Sequence, residues 1–394
     1  MINRRKFILS STLLGGALNT NFSRAEKVDL VNTKIGNTDL VVPNIGLGSS
    51  STDNPSVIRH AFDRGVRYFD TAESYMGGRA EKAIGNALKD VRDKVVIATK
   101  TKARTSSKMS DFKSSLDDSL KKLKTDYIDV YFNHSVNSYS RLSNDDWWEF
   151  IERSKTEGKI RYSGISGHGS NLADCVEYCV DKKLVDIVLT AFSFAQDPSF
   201  LETLRHTFHF VAINPRLPEV LKKARDKGVG VIAMKTLAGS RLNDMRPYED
   251  KNLTYAQAAI SWALNSDYAD AAILSMTSKS LVDELTSIPS NTFSKRDQFK
   301  LLEKYYALNK ENICPPGCNI CVDVCPKGVD ISDVMRSKMY ALDYQNPIKA
   351  IKTYSNLDGN AAACFSCSDE PCLDACGYGL NIKQLNKKTH KLLS

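Results

Sequence analysis

What the 394-residue sequence lacks limits the classes of protein it can encode. Hydrophobic residues make up 42% and charged residues 25%, which excludes both a membrane protein with several spans and a mainly disordered chain. No basic tract with interleaved aromatic residues is present, and a net charge of +8 is mild over this length, so nothing indicates binding to nucleic acid. Cysteine is scarce before residue 310, where only two of the ten occur. The other eight follow residue 310, which indicates two modules with different chemistry.

The first 26 residues have the pattern of a targeting segment. Arg4 and Arg5 precede a weakly apolar stretch that ends near Leu18 and is shorter than the ~20 residues that span a bilayer. Ser23 and Ala25 offer a small-x-Ala cleavage site. The arginine pair is similar to a twin-arginine export signal, a route that carries folded proteins. We therefore expect a periplasmic protein without a stable membrane anchor after processing. A frayed basic N-terminus, with a cytoplasmic location, is the alternative.

Residues 27–308 alternate short apolar runs with helical patterns, which implies a parallel sheet. Eight such units in about 280 residues match a (β/α)₈ barrel, whose active site lies at the C-terminal ends of the strands. Ser143 and Asp146 predict a capping box at the start of one helix. The predicted strands are 44–48, 67–71, 95–100, 128–133, 161–165, 187–191, 230–234 and 271–275. The predicted helices include 56–64, 80–88, 111–123, 143–155, 172–180, 218–227 and 255–264.

Two competing α/β classes lack their fingerprints. A dinucleotide-binding sheet requires G-x-G-x-x-G after its first strand, whereas residues 46–51 read GLGSSS and lack the last glycine. A hydrolase nucleophile elbow requires G-x-S-x-G, whereas the stretch that begins at Gly164 has His168 in its last position. His168 is itself a candidate for lining a substrate pocket, or else a loop histidine whose hydrogen bonds are satisfied within the loop.

Four polar residues stand where barrel strands should end or just beyond. Asp70, Lys100 and His134 terminate apolar runs, and Tyr75 follows Asp70 in the next loop. A polar residue at the end of one strand is common at any protein surface. Four of them at the active rim of one barrel indicate a catalytic site.

The segments that carry these four residues resemble the aldo-keto reductases, and the resemblance covers about residues 34–290. The matching segments are 69–75 (FDTAESY), 97–100 (IATK), 129–134 (DVYFNH), 161–166 (RYSGIS) and 228–235 (GVGVIAMK). The resemblance implies interconversion of a carbonyl and an alcohol with a nicotinamide cofactor. Tyr75 would act as general acid, or as base in the oxidative direction, with its pKa lowered from ~10 by Lys100. Asp70 would hold Lys100, and His134 would orient the carbonyl; a plain ion pair and rim packing are the non-catalytic alternatives.

The same resemblance implies NADP(H), with NAD as the alternative cofactor. Ser166 matches the residue that contacts the carboxamide, the loop 235–239 matches the pyrophosphate loop, and Lys279 suits a 2′-phosphate. The sixth strand departs from the family, since Leu189 replaces the usual Gln; Phe192 is expected to stack on the nicotinamide ring. The complete set of predicted cofactor-binding residues is Gly48, Asp70, Ser166, Phe192, Lys235, Leu237, Gly239, Ser278 and Lys279.

Residues 309–394 contain two cysteine runs that look like bacterial ferredoxin runs, each slightly stretched. Segments 325–331 and 376–382 align as an internal repeat. The resemblance implies a ferredoxin-like α+β domain with two [4Fe–4S] clusters, each of which takes three cysteines from one run and the last cysteine of the other. Structural zinc and disulfides are the alternatives. The implied ligand sets are Cys314, Cys318, Cys321 and Cys376 for one cluster, and Cys325, Cys364, Cys367 and Cys372 for the other.

Some aldo-keto reductase relatives carry such a tail, so the resemblance extends to the combination of modules. It implies an oxidoreductase for a small carbonyl or alcohol, with clusters that exchange electrons through a redox partner protein. We see no flavin motif to couple hydride transfer to single-electron transfer. A barrel that serves as a binding or regulatory module and a pure electron-transfer protein are the alternatives.

Overall fold

The computed structural model describes residues 30–205, 216–239, 244–251, 253–288 and 293–394. The predicted export segment at residues 1–26 lies outside these ranges. Within them, no helix has both the length and the apolar character needed to cross a membrane.

Eight parallel strands close into a barrel in the order β10-β3-β4-β5-β6-β7-β8-β9. This confirms the predicted barrel, and every predicted strand lies within two residues of the observed one. The strands are buried because side chains fill the barrel interior and helices cover its outside. The barrel strands are β3 (Ile45–Gly48), β4 (Tyr68–Asp70), β5 (Val96–Thr101), β6 (Ile128–Asn133), β7 (Ile160–Gly167), β8 (Ile187–Ala191), β9 (Gly230–Met234) and β10 (Ala271–Ser275).

An antiparallel hairpin closes the N-terminal end of the barrel. It pairs β1 (Asn32–Lys34) with β2 (Val41–Pro43). Its turn packs on the start of β9, where Asn37 N donates to the Gly228 carbonyl over 2.8 Å. Gly36 has φ +51°, and a Cβ there would lie 2.3 Å from the backbone nitrogen of Gly230. With this end closed, the C-terminal ends of the strands form the open mouth.

The helices that surround the barrel are α1 (Pro55–Asp63), α2 (Arg79–Leu88), α3 (Met109–Leu123), α4 (Tyr139–Leu142), α5 (Asp145–Thr156), α6 (Leu172–Asp181), α7 (Pro198–Arg205), α8 (Arg216–Asp226), α9 (Tyr255–Leu264) and α10 (Lys279–Thr286). Short 3₁₀ helices occupy Tyr75–Gly78, Lys89–Lys94, Phe194–Gln196, Arg246–Tyr248 and Ala361–Phe365.

The predicted capping box at Ser143 is wrong. Helix α5 begins one residue later than that box requires, because the Asn144 side chain accepts the hydrogen bond from Trp147 N. The Asp146 carboxylate instead accepts from Met109 N, at the start of α3, over 3.2 Å.

The C-terminal segment is helical, so the predicted α+β character is wrong. No strand occurs in residues 309–394, all of which the structure describes. The longest helix between the cysteine runs buries Ile331, Val334 and Met335, a spacing of three and four residues rather than two. The helices of this part are α11 (Lys295–Asn309), α12 (Ile320–Asp323), α13 (Ile331–Leu342), α14 (Pro347–Tyr354), α15 (Pro371–Ala375) and α16 (Ile382–Leu393).

The C-terminal segment shares a hydrophobic core with the mouth of the barrel. Phe194 and Tyr255 from the barrel belong to one buried cluster with Tyr305, Val334 and Tyr340. The rings of Tyr255 and Tyr305 stack with centroids 4.4 Å apart. Side chains from α11 and α13 therefore lie at the end of the barrel where the predicted site is.

Candidate active site and cysteine cavities

A buried ion pair forms the base of the site. Asp70 ends β4 and Lys100 lies near the end of β5, and each is 1% exposed. Lys100 Nζ lies 2.5 Å from Asp70 Oδ1 and 2.5 Å from the Thr71 carbonyl oxygen. Burial raises the pKa of Asp70 and lowers the pKa of Lys100, while their mutual attraction opposes both shifts.

Tyr75 lies beside this pair and faces His134. Lys100 Nζ is 5.0 Å from the centroid of the Tyr75 ring. The rings of Tyr75 and His134 meet edge to face, with centroids 5.5 Å apart. The structure thus brings together the four residues that were predicted to be catalytic.

The pKa of Tyr75 differs from the expected one. Burial raises it above its ordinary value, and the nearby Asp70 carboxylate and Tyr340 hydroxyl raise it further. The expectation of a lowered pKa is wrong for the protein alone, because burial sets the net direction. Lys100 already donates to Asp70 and Thr71, and its ammonium group lies over the ring face of Tyr75. Tyr75 therefore carries its proton at neutral pH and can donate it, although the raised pKa makes it a weaker acid than free tyrosine.

His134 is a neutral imidazole in this environment. Burial, followed by the charges of Lys100 and Lys102, lowers its pKa well below the ordinary value. Its Nδ1 has no hydrogen-bond partner among the described residues. Sequence reasoning missed Arg141, which donates to the carbonyls of His134 (2.8 Å) and Ser135 (2.6 Å) and so fixes this loop. No sequence motif marks Arg141.

The predicted cofactor residues lie along the rim, with one exception. Gly48 ends β3, and the buried Ser166, near the end of β7, accepts a hydrogen bond from Ser135 N over 3.2 Å. Ser278 and Lys279 are exposed at the start of α10, where free helical N–H groups suit an anion.

Phe192 is the exception. Its ring is 1% exposed and packs 5.4 Å from the ring of Tyr268, in the layer between barrel and helices. Side chains alternate along a strand, and Leu189 points into the barrel, so Phe192 falls on the outer side. The prediction that Phe192 stacks on a nicotinamide ring is therefore wrong in this arrangement.

The loop 235–239 is held by tyrosines from α9 and α11. Tyr255 donates to the Leu237 carbonyl over 2.8 Å, and Tyr305 donates to the Ala238 carbonyl over 3.1 Å. Lys235, Ala238 and Gly239 have positive φ angles of 60°, 42° and 78°. Burial, with the charges of Arg336 and Lys349, lowers the pKa of Lys235 to about 7. This loop is shaped by the C-terminal segment as much as by the barrel.

The eight C-terminal cysteines line two separate cavities. All ten cysteines of the chain are free thiols, so none is engaged in a disulfide. Each cavity takes three cysteines from one run and the last cysteine of the other, the crossed arrangement expected above. The first cavity is lined by Cys314, Cys318, Cys321 and Cys376, and the second by Cys325, Cys364, Cys367 and Cys372.

Helix α13 lies between the first cavity and the barrel mouth. Its Ile331 and Met335 line the cavity. Its Tyr340 ring lies 5.7 Å from Lys235 Nζ, on the rim. The cysteine cavity and the candidate active site thus flank one helix.

Comparison with known proteins identifies the barrel. Residues 45–307 match the sequence model of the Aldo/keto reductase family. The chain belongs to this family. One of its relatives is the uncharacterized oxidoreductase YqkF of Bacillus subtilis, which is 29% identical over an alignment that covers 63% of this chain and 80% of the relative. The L-galactose dehydrogenase of Arabidopsis thaliana is 28% identical and covers 55% of this chain and 68% of that enzyme.

Solved structures agree on the fold. The aldo-keto reductase AKR11C1 from Bacillus halodurans has a TM-score of 0.57 at 21% identity, covering 70% of this chain and 96% of that one. An aldo-keto reductase from Klebsiella pneumoniae, solved in complex with NADPH, has a TM-score of 0.54 at 22% identity, with the same coverage of 70% and 96%. The predictions of an aldo-keto reductase barrel and of an oxidoreductase are confirmed.

Proposed function

We propose that this aldo-keto reductase interconverts a small carbonyl compound and the corresponding alcohol with NADP(H), NAD being the alternative, and that Tyr75 exchanges the proton. The observation that carries the proposal is the convergence of Tyr75 on His134 and on the buried pair of Asp70 and Lys100. The Klebsiella pneumoniae relative in complex with NADPH supports the choice of cofactor.

Each of the four side chains has a separate role in the proposed reaction. Tyr75 holds its proton at neutral pH and delivers it to the carbonyl oxygen. The neutral His134 donates a hydrogen bond to the same oxygen and so orients the carbonyl. Lys100, fixed by Asp70, keeps a positive charge below the ring of Tyr75, which stabilises negative charge that develops on the phenol oxygen.

The rim has places for a nicotinamide nucleotide, which supplies the hydride when bound. Gly48 and Ser166 lie at the ends of β3 and β7 on the mouth of the barrel, and the reactive ring would lie between them and Tyr75. The loop that contains Lys235, Leu237 and Gly239 and the start of α10 at Ser278 would hold the phosphates.

The test of this proposal is Tyr75→Phe. We expect kcat for aldehyde reduction to fall by about 10²–10⁴-fold, because the proton donor is lost while the ring remains. NADPH consumption by anaerobically purified protein is the measurement. Tyr127→Phe is the matched control, because Tyr127 lies just before β6, at the opposite end of the barrel. Equal turnover by Tyr75→Phe and the control would contradict the assignment.

We also propose that the two cysteine cavities hold one [4Fe–4S] cluster each, which pass single electrons to or from a redox partner protein. Zinc–sulfur bonds of about 2.3 Å draw four thiolates into one compact group. No group of three or more His, Cys, Asp or Glu side chains in the described residues is arranged to hold a single ion. Thiolates spread around a cavity suit the larger cluster better, and the crossed cysteine sets are those of a two-cluster ferredoxin.

Single substitutions separate the two clusters. Cys376→Ser should remove a ligand of the first cluster and Cys325→Ser a ligand of the second. Each should lower iron and acid-labile sulfide from about eight to about four atoms per chain. Cys179→Ser, a change at a buried cysteine of α6, is the control that should keep the full content. Zinc in place of iron, or full iron content in both tail variants, would contradict the ligand sets.

We further propose that the protein folds and binds its cofactors in the cytoplasm, is exported by the twin-arginine route, and acts in the periplasm. The support for export is the Arg4–Arg5 pair before a short apolar stretch. Replacing both arginines by lysine should retain the protein in the cytoplasm. Unchanged periplasmic recovery of that variant would exclude the route.

A further inference from the structure

The C-terminal segment places positive charge over the barrel mouth. Helix α13 is fixed to the rim through Asp333, whose Oδ2 accepts from Asn137 over 3.2 Å and from Ser170 over 3.0 Å. The loop before it is fixed as well, because Gly317 N donates to the Gly169 carbonyl over 3.1 Å. Side chains of α13 and α14 are therefore held in a defined position above the site.

Two lysine side chains lie against the ring of Tyr340. Tyr340 is 4% exposed, and its hydroxyl has no hydrogen-bond partner among the described residues. Lys349 Nζ lies 4.0 Å from the Tyr340 ring centroid, and Lys235 Nζ lies 5.7 Å from the same centroid. Arg336, one turn before Tyr340, is 7% exposed. The Tyr340 hydroxyl is thus a buried donor for which no described residue supplies an acceptor, in a part of the molecule where cations collect.

Among the described residues, a carboxylate pairs with Arg336 but none pairs with the two lysines. Arg336 has Asp333 at 3.4 Å, but that carboxylate also serves Asn137 and Ser170. Neither Lys235 nor Lys349 has a carboxylate within salt-bridge distance in the part of the chain that the structure describes.

The carboxylates of the barrel mouth are engaged elsewhere. Asp70 is paired with Lys100, and Glu73 accepts from Thr101 Oγ1 over 2.8 Å. Burial, followed by nearby positive charges that include Arg336 and Lys349, lowers the pKa values of His168 and Lys235. The Nδ1 atom of His168 also lacks a partner among the described residues.

The charge of Lys349 acts on the catalytic side of the mouth as well as on the loop after β9. Burial is the main cause that lowers the pKa of His134, which follows β6, and Lys349 contributes after Lys100, Lys102 and Arg141. Strand β6 lies across the closed barrel from β9 and β10, whose loops are the expected phosphate site of the cofactor. A receptor above the catalytic residues is thus placed for a group on the substrate.

We propose that the substrate is a carbonyl compound bearing an oxyanion, a carboxylate or a phosphate, and that Arg336, Tyr340 and Lys349 bind this group above Tyr75 and His134. The inference rests on the proposed carbonyl–alcohol chemistry and adds the substrate class to it. The C-terminal segment would then serve substrate selection in addition to electron transfer.

Paired substrates test the proposal. One pair is 4-carboxybenzaldehyde and its neutral amide, 4-carbamoylbenzaldehyde; the other is glyceraldehyde 3-phosphate and glyceraldehyde. We expect kcat/KM to favour the charged member of at least one pair by about tenfold or more, since a charge-assisted hydrogen bond contributes on this scale. The pair that shows the preference distinguishes carboxylate from phosphate.

Variants assign the preference to its residues. Arg336→Gln and Lys349→Gln should each reduce the preference by about tenfold. Arg336→Gln removes the contact with Asp333 and so could disturb α13. Lys349 is exposed, so Lys349→Gln is expected to fold normally and tests the proposal independently. Lys388→Gln removes a charge from an exposed position of α16 and should leave the preference unchanged. No preference in the wild-type protein, or an unchanged preference in both variants, would overturn the proposal.

A binding measurement separates this proposal from the proposed function. Calorimetry with 4-carboxybenzyl alcohol and 4-carbamoylbenzyl alcohol needs no turnover, and the charged alcohol should bind about tenfold more tightly in a manner that depends on Lys349. If the protein reduces no aldehyde but keeps this preference, the proposed reaction fails and the anion site stands. If both variants weaken NADP⁺ binding and leave the preference intact, the cations serve the cofactor, and the inference fails.

Discussion

The alternation of side chains along the strands decides which residues reach the barrel mouth. Asp70, Lys100 and His134 each lie an even number of residues from an inward-facing side chain of their own strand, so all three point inward. The same rule directs Phe192 outward. The proposed catalytic set could be located from the sequence because strand ends and a family motif mark it. The outward direction of Phe192 could have been predicted from the alternation of side chains along the strand. The positions of Arg336, Tyr340 and Lys349 could not, because no local pattern reveals that α13 folds back over the barrel.

The pH dependence of aldehyde reduction follows from two of these residues. Burial raises the pKa of Tyr75, so the phenol keeps its proton at pH values where free tyrosine begins to lose it. Burial lowers the pKa of His134, so the imidazole stays neutral where free histidine gains a proton. We expect kcat for reduction to be flat between about pH 6 and about pH 10. A loss of activity on the acid side with an apparent pKa near 6.5 would contradict the environment of His134. A loss on the basic side with an apparent pKa below about 9 would contradict the environment of Tyr75.

At the scale of elements, the parallel strands could be predicted closely and the C-terminal helices could not. A strand buried on both faces, such as β6, is a continuous apolar run with clear ends. The ferredoxin-like pattern rests on cysteine spacing alone and says nothing about residues 327–363 between the runs, which contain α13 and α14. The start of α5 shows the limit of capping rules, because Ser143 and Asn144 are both good N-cap residues. The contact of Asp146 with the start of α3 favours Asn144 as the N-cap.

The hairpin that closes the barrel allows a direct test of close backbone approach. Gly36→Ala places a Cβ 2.3 Å from Gly230 N at a φ of +51°. Gly158→Ala has the same kind of backbone, with φ +72°, but nothing within 4 Å of the new Cβ. We expect about 1–2 kcal/mol of destabilisation for Gly158→Ala and about 1–3 kcal/mol more for Gly36→Ala, measured by denaturant unfolding. Equal losses would show that the hairpin does not pack against the start of β9 in this way.

At the scale of the whole molecule, α13 connects a cysteine cavity with the candidate active site. One side of the helix lines a cysteine cavity and the other reaches the aldo-keto reductase site. The length, composition and cysteine distribution of the sequence predicted two modules, but not that they share a hydrophobic core. This packing is a long-range property, because it brings Tyr340 to a loop about a hundred residues earlier in the chain.

Hydride transfer between a nicotinamide and a carbonyl takes place in the barrel in this account, independently of any single-electron transfer by the C-terminal segment. Reduction of an aldehyde with NADPH deuterated at the transferred position, followed by mass spectrometry of the alcohol, tests this most directly. Hydride transfer within the barrel predicts one deuterium on the carbinol carbon of every product molecule. An unlabelled alcohol, or equal turnover by dithionite-reduced protein without NADPH, would contradict it and assign the reduction to the proposed iron–sulfur clusters.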